Sequence, residues 1–280
     1  MISAQTVLAL AFIPLVFGQT NNTLGIEAIE AHFSNSGIVP TLLSSFDPSA
    51  LLTVSYDGVG NLSPGQSLTK TQVGPTPNLQ VTPANSTVQL NGTFTVVMAD
   101  AGPVGTDESQ GQTRHWLVND VTLTGGSAPF NVSTDDGTAI TEYAGPAPAQ
   151  GSGAHRYVIL LYSQPSSFEA PDGFDQPDIG VSVFNLTDYV QNSHLGSLVA
   201  GTYLTVEEGT ATFTPSSTAP VITSTLPAAQ STSTSPSSSS TSSSSAPSAT
   251  NAGKQSSGSE TLLASSAKTF IAGLLGFLLL

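Results

Sequence analysis

Residues 143–162 read YAGPAPAQGSGAHRYVILLY, and the stretch joins two kinds of chain. From Tyr143 to Gly153, three Gly and two Pro rule out regular structure and leave a loop of constrained turns. From His155 to Tyr162, HRYVILLY is β-branched, aliphatic and aromatic, which predicts a buried strand. A stiff loop therefore delivers His155, Arg156 and Tyr157 at the mouth of a core strand, where packed scaffolds carry binding sites.

Working outward, similar runs recur. LLTVSY at 51–56 alternates and is closed by DGVGN; LTKTQV at 68–73 predicts a second short strand. GPTPNLQVTP at 74–83 reads as Pro-broken coil. VQLNGTFTVVMAD at 88–100 predicts a central strand with a bulge marked by Asn91 and Gly92. RHWLVNDVTLT at 114–124 and GTYLTVEE at 201–208 complete the set. Helical spacing occurs at Ile26, Ile29 and Phe33, with IVPTLLSSF as its continuation and Asp47-Pro48 as its stop; it recurs at 184–195. Strands joined by loops give a mainly β domain with an antiparallel sheet.

The chain has 280 residues, a formal charge of −14 with only five Lys+Arg, and no Cys. So few cations exclude nucleic acid as a partner, since phosphate backbones need clustered positive charge. Without Cys there is no disulfide scaffold, thiolate metal site or Cys nucleophile. G-x-S-x-G and H-E-x-x-H are absent. His115, His155 and one carboxylate make a two-His metal site arithmetically possible; no cofactor is expected.

Both ends read as export signals. Residues 1–18, with VLALAFIPLVF before Gly18, are expected to be a signal peptide. The domain is expected over 19–209, followed at 210–257 by a disordered Ser/Thr-rich stalk that cannot bury enough apolar surface to order itself. Residues 258–280, ending FIAGLLGFLLL, are expected to be a glycosylphosphatidylinositol (GPI) propeptide, attached at Asn251, with Gly253 or Ser257 as alternates. Sequons stand at Asn21, Asn61, Asn85, Asn91, Asn131 and Asn185. The expected location is outside the cell, at the plasma membrane or in the wall.

The 143–157 loop resembles the phosphatidylethanolamine-binding protein family. Tyr143, Gly145, Pro146, Pro148, Gly151, Gly153, His155, Arg156 and Tyr157 match its Y-x-G-P-x-P-x-x-G-x-G-x-H-R-Y pattern. VVMAD at 96–100, Pro103 and RHWLV at 114–118 match its D-P-D-x-P and H-W/F-L segments, and the resemblance spans roughly 40–208. It implies a large central antiparallel sheet, a smaller flanking sheet and short helices. It also implies an anion cavity built from Asp100, Pro103, His115, Gly145, Pro146, His155 and Tyr157. Binding of a phospholipid headgroup or small phosphate-bearing anion is implied, rather than catalysis. Some family members inhibit serine carboxypeptidases, so a secreted or vacuolar peptidase is the alternative partner; a wall glycoprotein without ligand is the third reading. The Ser/Thr stalk and anchor point to a fungal, secreted type.

One departure is plain. Where the family has two aspartates around a Pro, this chain reads Asp100-Ala101-Gly102-Pro103, with Asp107 and Glu108 nearby. Arg156, next to His155, faces the other way along a strand and reads as a structural ion-pair or loop-anchoring residue. Phe94 and Trp116 read as core, His32 and His194 as surface.

Overall fold

The computed structural model describes residues 22–214, 216 and 218–231. The expected signal peptide, the sequon at Asn21, the stalk beyond 231, Asn251 with its alternates, and the propeptide lie outside the described residues.

In chain order the elements are α1 (Thr23–Asn35), α2 (Ile38–Thr41), β1 (Ala50–Tyr56), β2 (Gly60–Asn61), β3 (Gln66–Leu68) and β4 (Asn78–Pro83). Then come β5 (Thr93–Asp100), β6 (Gln112–Thr124), β7 (Phe130–Ser133), β8 (Thr138–Thr141), β9 (His155–Gln164), β10 (Ser182–Phe184), α3 (Leu186–Asn192), β11 (Leu198–Val206) and α4 (Pro227–Ser231). Short 3-10 turns lie at Glu108–Gln110 and Thr223–Thr225.

The strands run β2-β1-β4-β7-β6-β5-β9-β11-β3, with β8 and β10 on the far side of β6. Every pair is antiparallel except β11 with β3. Strand β6 belongs to both sheets: its body pairs with β5, and Thr122–Thr124 pair with β7 of the smaller sheet. The larger sheet is covered on both faces. Tyr157, Ile159 and Leu161 of β9 pack toward the smaller sheet with Val54, Val81 and Met98. Val158, Leu160 and Tyr162 pack toward the helices with Phe33, Ile38 and Leu186. Two-sided burial is why HRYVILLY is apolar at successive positions instead of alternating. Each of these aliphatic side chains contributes roughly 1.5–3 kcal/mol by burial.

Several local expectations are corrected. The strand predicted at 68–73 ends at Leu68, because Thr69 and Gln72 close a turn through Thr69 N–H to Gln72 Oε1 (2.9 Å). The coil predicted at 74–83 holds β4: its prolines lie before the strand or at its last residue, while Leu79 and Val81 are buried. The strand predicted from 88 begins at Thr93, since Gly92 has φ +89° and turns the chain before pairing starts. The first helix stops at Asn35, ahead of Gly37 at φ +68°, and the second predicted helix shortens to α3. Strands β7, β8 and β10 carry too few residues for a periodicity to show.

Past the expected domain boundary at 209, a few groups of the described residues find partners in the domain. Thr212 N–H donates to Gly151 O (3.0 Å), Asn35 Nδ2 to Ala219 O (3.0 Å) and Ala228 N–H to Glu27 Oε2 (2.9 Å). Local partners in the domain thus satisfy backbone groups that the bulk composition assigned to water.

Candidate functional site

The ends of three neighbouring strands build the site. Asp100 closes β5 and pairs in register with Tyr157 of β9, so His155 begins the adjacent strand beside the carboxylate. His115 comes from β6 by a different device. Met98 pairs with Trp116 and Ala99 with Arg114, so the register slips by one residue and His115 is the extra residue of a β-bulge. The bulge lets His115 and Trp116 share a side of the sheet: Trp116 joins the inter-sheet core, and the His115 ring meets Tyr157 edge-on at 5.2 Å. Arg114, on the other face, lies over Phe174 and Phe184 and donates to Gly180 O (2.9 Å) and Ser182 Oγ (3.0 Å).

His155 is held at both nitrogens. Nδ1 lies 2.9 Å from Asp100 Oδ2 and 3.0 Å from Oδ1, while Gly102 N–H donates to Oδ1 (2.8 Å). Nε2 lies 2.9 Å from Ser152 Oγ, whose hydroxyl reaches Ala149 O (2.6 Å). The carboxylate fixes the ring orientation, as the partner of a functional histidine does. His115 Nδ1–H donates to Ala144 O (2.9 Å), which leaves Nε2 uncommitted, and His115 is only 6% exposed.

Tyr157 sits between the two imidazoles, its ring stacked near His155 at 6.3 Å and edge-on to His115. Its hydroxyl is fully buried and lacks a well-formed hydrogen bond, although Asp100 and the Ala147 backbone are its neighbours. Burial, reinforced by the Asp100 charge, raises its pKa far above the ordinary range. The phenol is therefore a neutral donor at any physiological pH. A buried donor without a good acceptor is costly unless a ligand supplies one.

The 143–153 loop is fastened at both ends. Tyr143 donates to Val73 O (2.7 Å), lies 3.0 Å from the Tyr56 hydroxyl and meets Trp116 edge-on. Ala144 N–H returns a bond to His115 O (2.9 Å). Gly145 is required because a Cβ there would stand 2.9 Å from Gly74 Cα and Val73 O. Pro146 is buried behind it. At the other end Gly151 N–H donates to Glu208 O (2.8 Å).

Of the residues predicted for the site, Asp100, His115, His155 and Tyr157 converge directly. Pro103 packs against Gly153, whose Cβ would lie 3.5 Å from Pro103 Cγ, so it forms the rim. Gly145 acts as a loop anchor packed on the 73–74 turn, and Pro146, next to it in the loop, is buried. Ser152 was missed; only its place between two glycines, three residues before His155, hinted at it.

Arg156 has the anchoring role read from its alternation. It is buried and donates to Gly102 O (2.9 Å), Ser36 O (2.7 Å), Ala101 O (2.6 Å) and Pro103 O (3.1 Å), with Glu108 at 3.5 Å. Burial lowers its pKa, with Glu108 acting against the shift; burial raises that of Glu108. Neither nearby acid replaces the missing aspartate: Glu108 faces Arg156, and Asp107 caps the 3-10 turn through Ser109 N–H (3.0 Å). A cleft of about 540 Å³ lies elsewhere, bordered by Asp107, Glu108 and Asp188, and its charge is wrong for an anion. Among the described residues, no three His, Asp or Glu side chains gather as metal ligands.

Comparison with known proteins bears on family and fold. A family model described as phosphatidylethanolamine-binding protein matches residues 45–214. A 26 kDa secreted antigen of Toxocara canis is 30% identical over 174 residues, covering 61% of this chain; the chain spans 61% of the antigen's length. A carboxypeptidase Y inhibitor of Saccharomyces cerevisiae is 32% identical over 162 residues, covering 49% of this chain and 74% of the inhibitor. The crystal structure of a carboxypeptidase Y inhibitor complexed with its cognate proteinase superposes with a TM-score of 0.54 at 27% identity, covering 65% of this chain and 96% of that one.

Proposed function

The chain belongs to the phosphatidylethanolamine-binding protein family, and from that membership we propose that its domain binds a phosphate-bearing headgroup without chemical turnover. One observation carries the reading: the Tyr157 hydroxyl, buried and poorly partnered, lies between His115 and an Asp100-oriented His155. A phosphate oxygen entering there accepts from Tyr157 O–H, from His155 Nε2–H in place of its present Ser152 partner, and from His115 Nε2–H when that ring is protonated. The fastened loop holds these donors in place beforehand, so little ordering entropy is lost on binding. Saturable binding of phosphoethanolamine to the purified protein, by calorimetry, is the expected result, with His155→Ala reducing affinity at least tenfold; equal affinity in that variant refutes the reading.

The protein acts outside the cell in this proposal, and the secreted antigen among its relatives supports it. Asn61, Asn85, Asn91, Asn131 and Asn185 are all exposed, which supports glycan attachment at these sequons. A GPI anchor at Asn251 would tether it to the plasma membrane or wall; release by a phosphatidylinositol-specific phospholipase is the test.

A second reading rests on the likeness to a carboxypeptidase Y inhibitor in sequence and fold. In it the domain inhibits a secreted or vacuolar serine peptidase through its surface. Inhibition that survives His155→Ala would separate this activity from the headgroup site; no inhibition of carboxypeptidase Y-type enzymes would remove it.

A further inference from the structure

The segment between β4 and β5 carries two sequons and borders a groove of about 320 Å³. Asn85 and Asn91 both line this groove and are exposed, and Val88, Leu90 and Phe130 line it with them. Those three apolar side chains are half-buried; Leu90 and Phe130 also pack against the core between the sheets. Phe130 is held in place by its pairing with the buried Val81 of β4. The groove is therefore an apolar surface on a rigid base, within the size range of small-molecule sites, about 300–1,000 Å³.

The Asn85 side chain is fixed at its lip. Asn85 Oδ1 accepts from Thr87 N–H (2.9 Å) and from the Thr87 hydroxyl (2.6 Å), which belongs to the same sequon. These bonds use the oxygen and leave Nδ2, the atom that takes a sugar, without a partner among the described residues. The chain just before it is tied down as well: Ala84 N–H donates to Ser49 O (2.9 Å), Asn22 N–H to Ala84 O (2.9 Å) and Asn22 Nδ2 to Pro83 O (2.9 Å). Asn91, across the groove, has no side-chain hydrogen bond among the described residues and precedes the turn at Gly92.

An N-linked N-acetylglucosamine presents an acetyl methyl and a ring face of C–H groups, both apolar, beside hydroxyls that stay in water. Attached at Nδ2, it reaches the groove without the cost of a bimolecular encounter. Lying there, it removes apolar surface of Val88, Leu90 and Phe130 from water.

We propose that this groove is the seat of the glycan on Asn85, whose first N-acetylglucosamine packs on Val88, Leu90 and Phe130. The proposal rests on the extracellular, glycosylated reading and is independent of the headgroup site. It makes Asn85 a structural modification site, whereas a glycan that only solubilises needs no seat.

The test uses the full-length protein secreted from a glycosylating host, its N-glycans trimmed by an endoglycosidase to single N-acetylglucosamine residues. Asn85→Gln should lower the thermal midpoint by about 2–4 °C and Asn61→Gln by less than about 1 °C, the first being what one modest contact shifts in a domain of this size. In protein made without N-glycosylation, the same Asn85→Gln change should cost less than half as much, since only the Thr87 bonds are then lost. In the trimmed glycoprotein, the acetyl methyl on Asn85 should show nuclear Overhauser contacts to the Phe130 ring. Mass-spectrometric mapping that finds every sequon bare refutes the glycosylated reading and the seat with it; Asn85 alone bare refutes only the seat. A midpoint loss that follows Asn91→Gln instead of Asn85→Gln, an equal loss in unglycosylated protein, or an acetyl methyl without contact to Phe130 also overturns the proposal.

Discussion

Asp100 and Arg156 divide the work at the strand ends between ligand geometry and loop geometry. Asp100 is the acceptor that orients His155, so Asp100→Asn keeps the shape and removes the charge. A hydrogen bond to a charged group contributes about 1.5–3 kcal/mol. The variant is therefore expected to bind phosphoethanolamine at least tenfold more weakly with little change in its unfolding midpoint; unchanged affinity would detach the carboxylate from binding. Arg156 faces the opposite side and joins the 101–103 carbonyls to Ser36 O. Arg156→Met leaves those acceptors and Glu108 without their donor, and a loss of roughly 3–5 kcal/mol is expected in urea unfolding. A loss below about 1 kcal/mol would mean that the loops hold without it. His194, read as surface, is exposed; His32, read the same way, is half-buried, and burial lowers its pKa.

At the scale of elements, the loop at 143–153 is a clamp between sheets as much as a rim. Gly145 touches the 73–74 turn, Ala144 is tied to His115, and Tyr143 bridges to Tyr56. Gly145→Ala drives a Cβ to 2.9 Å from backbone atoms of Val73 and Gly74, contacts that no rotamer change relieves. About 1–3 kcal/mol of destabilisation is expected, together with weaker headgroup binding as Ala144 shifts His115. Full affinity in a destabilised variant would confine the loop to a structural role. This loop and β9 were legible in the sequence, because Gly, Pro and a long apolar run are strong local signals. Strand β4 was not, since Pro75 and Pro77 obscured the two buried residues after them; nor was the turn at 69–72, made by side-chain bonds that propensities do not carry. At 210–231 an average over Ser and Thr likewise leaves Phe213 and Leu226 unmarked.

For the whole molecule, the tyrosines set an alkaline limit. Tyr56, Tyr143, Tyr157, Tyr162, Tyr189 and Tyr203 all have pKa values raised by burial, Tyr56 and Tyr189 to about 12. Unfolded tyrosines ionise near pH 10. Below that pH both states hold the proton and the raised values carry no penalty. From about pH 10 to 12 the unfolded state releases protons that the folded state keeps, so stability falls as pH rises through this window. Tyrosinate absorbance is expected to appear together with unfolding; free titration near pH 10 in the folded protein would contradict the burial of these rings.

By itself the sequence determined the mainly β character, the constrained loop before β9 and the residue types of the site, because turn chemistry and hydrophobic periodicity act over a few neighbouring residues. Only the tertiary structure decided that Asp100 orients His155, that a bulge turns His115 toward Tyr157, and that Ser152 meets the second nitrogen of His155. Those relations depend on strand register and on contacts between distant segments, and a side chain's partners are fixed by the packed sheet, not by its neighbours along the chain.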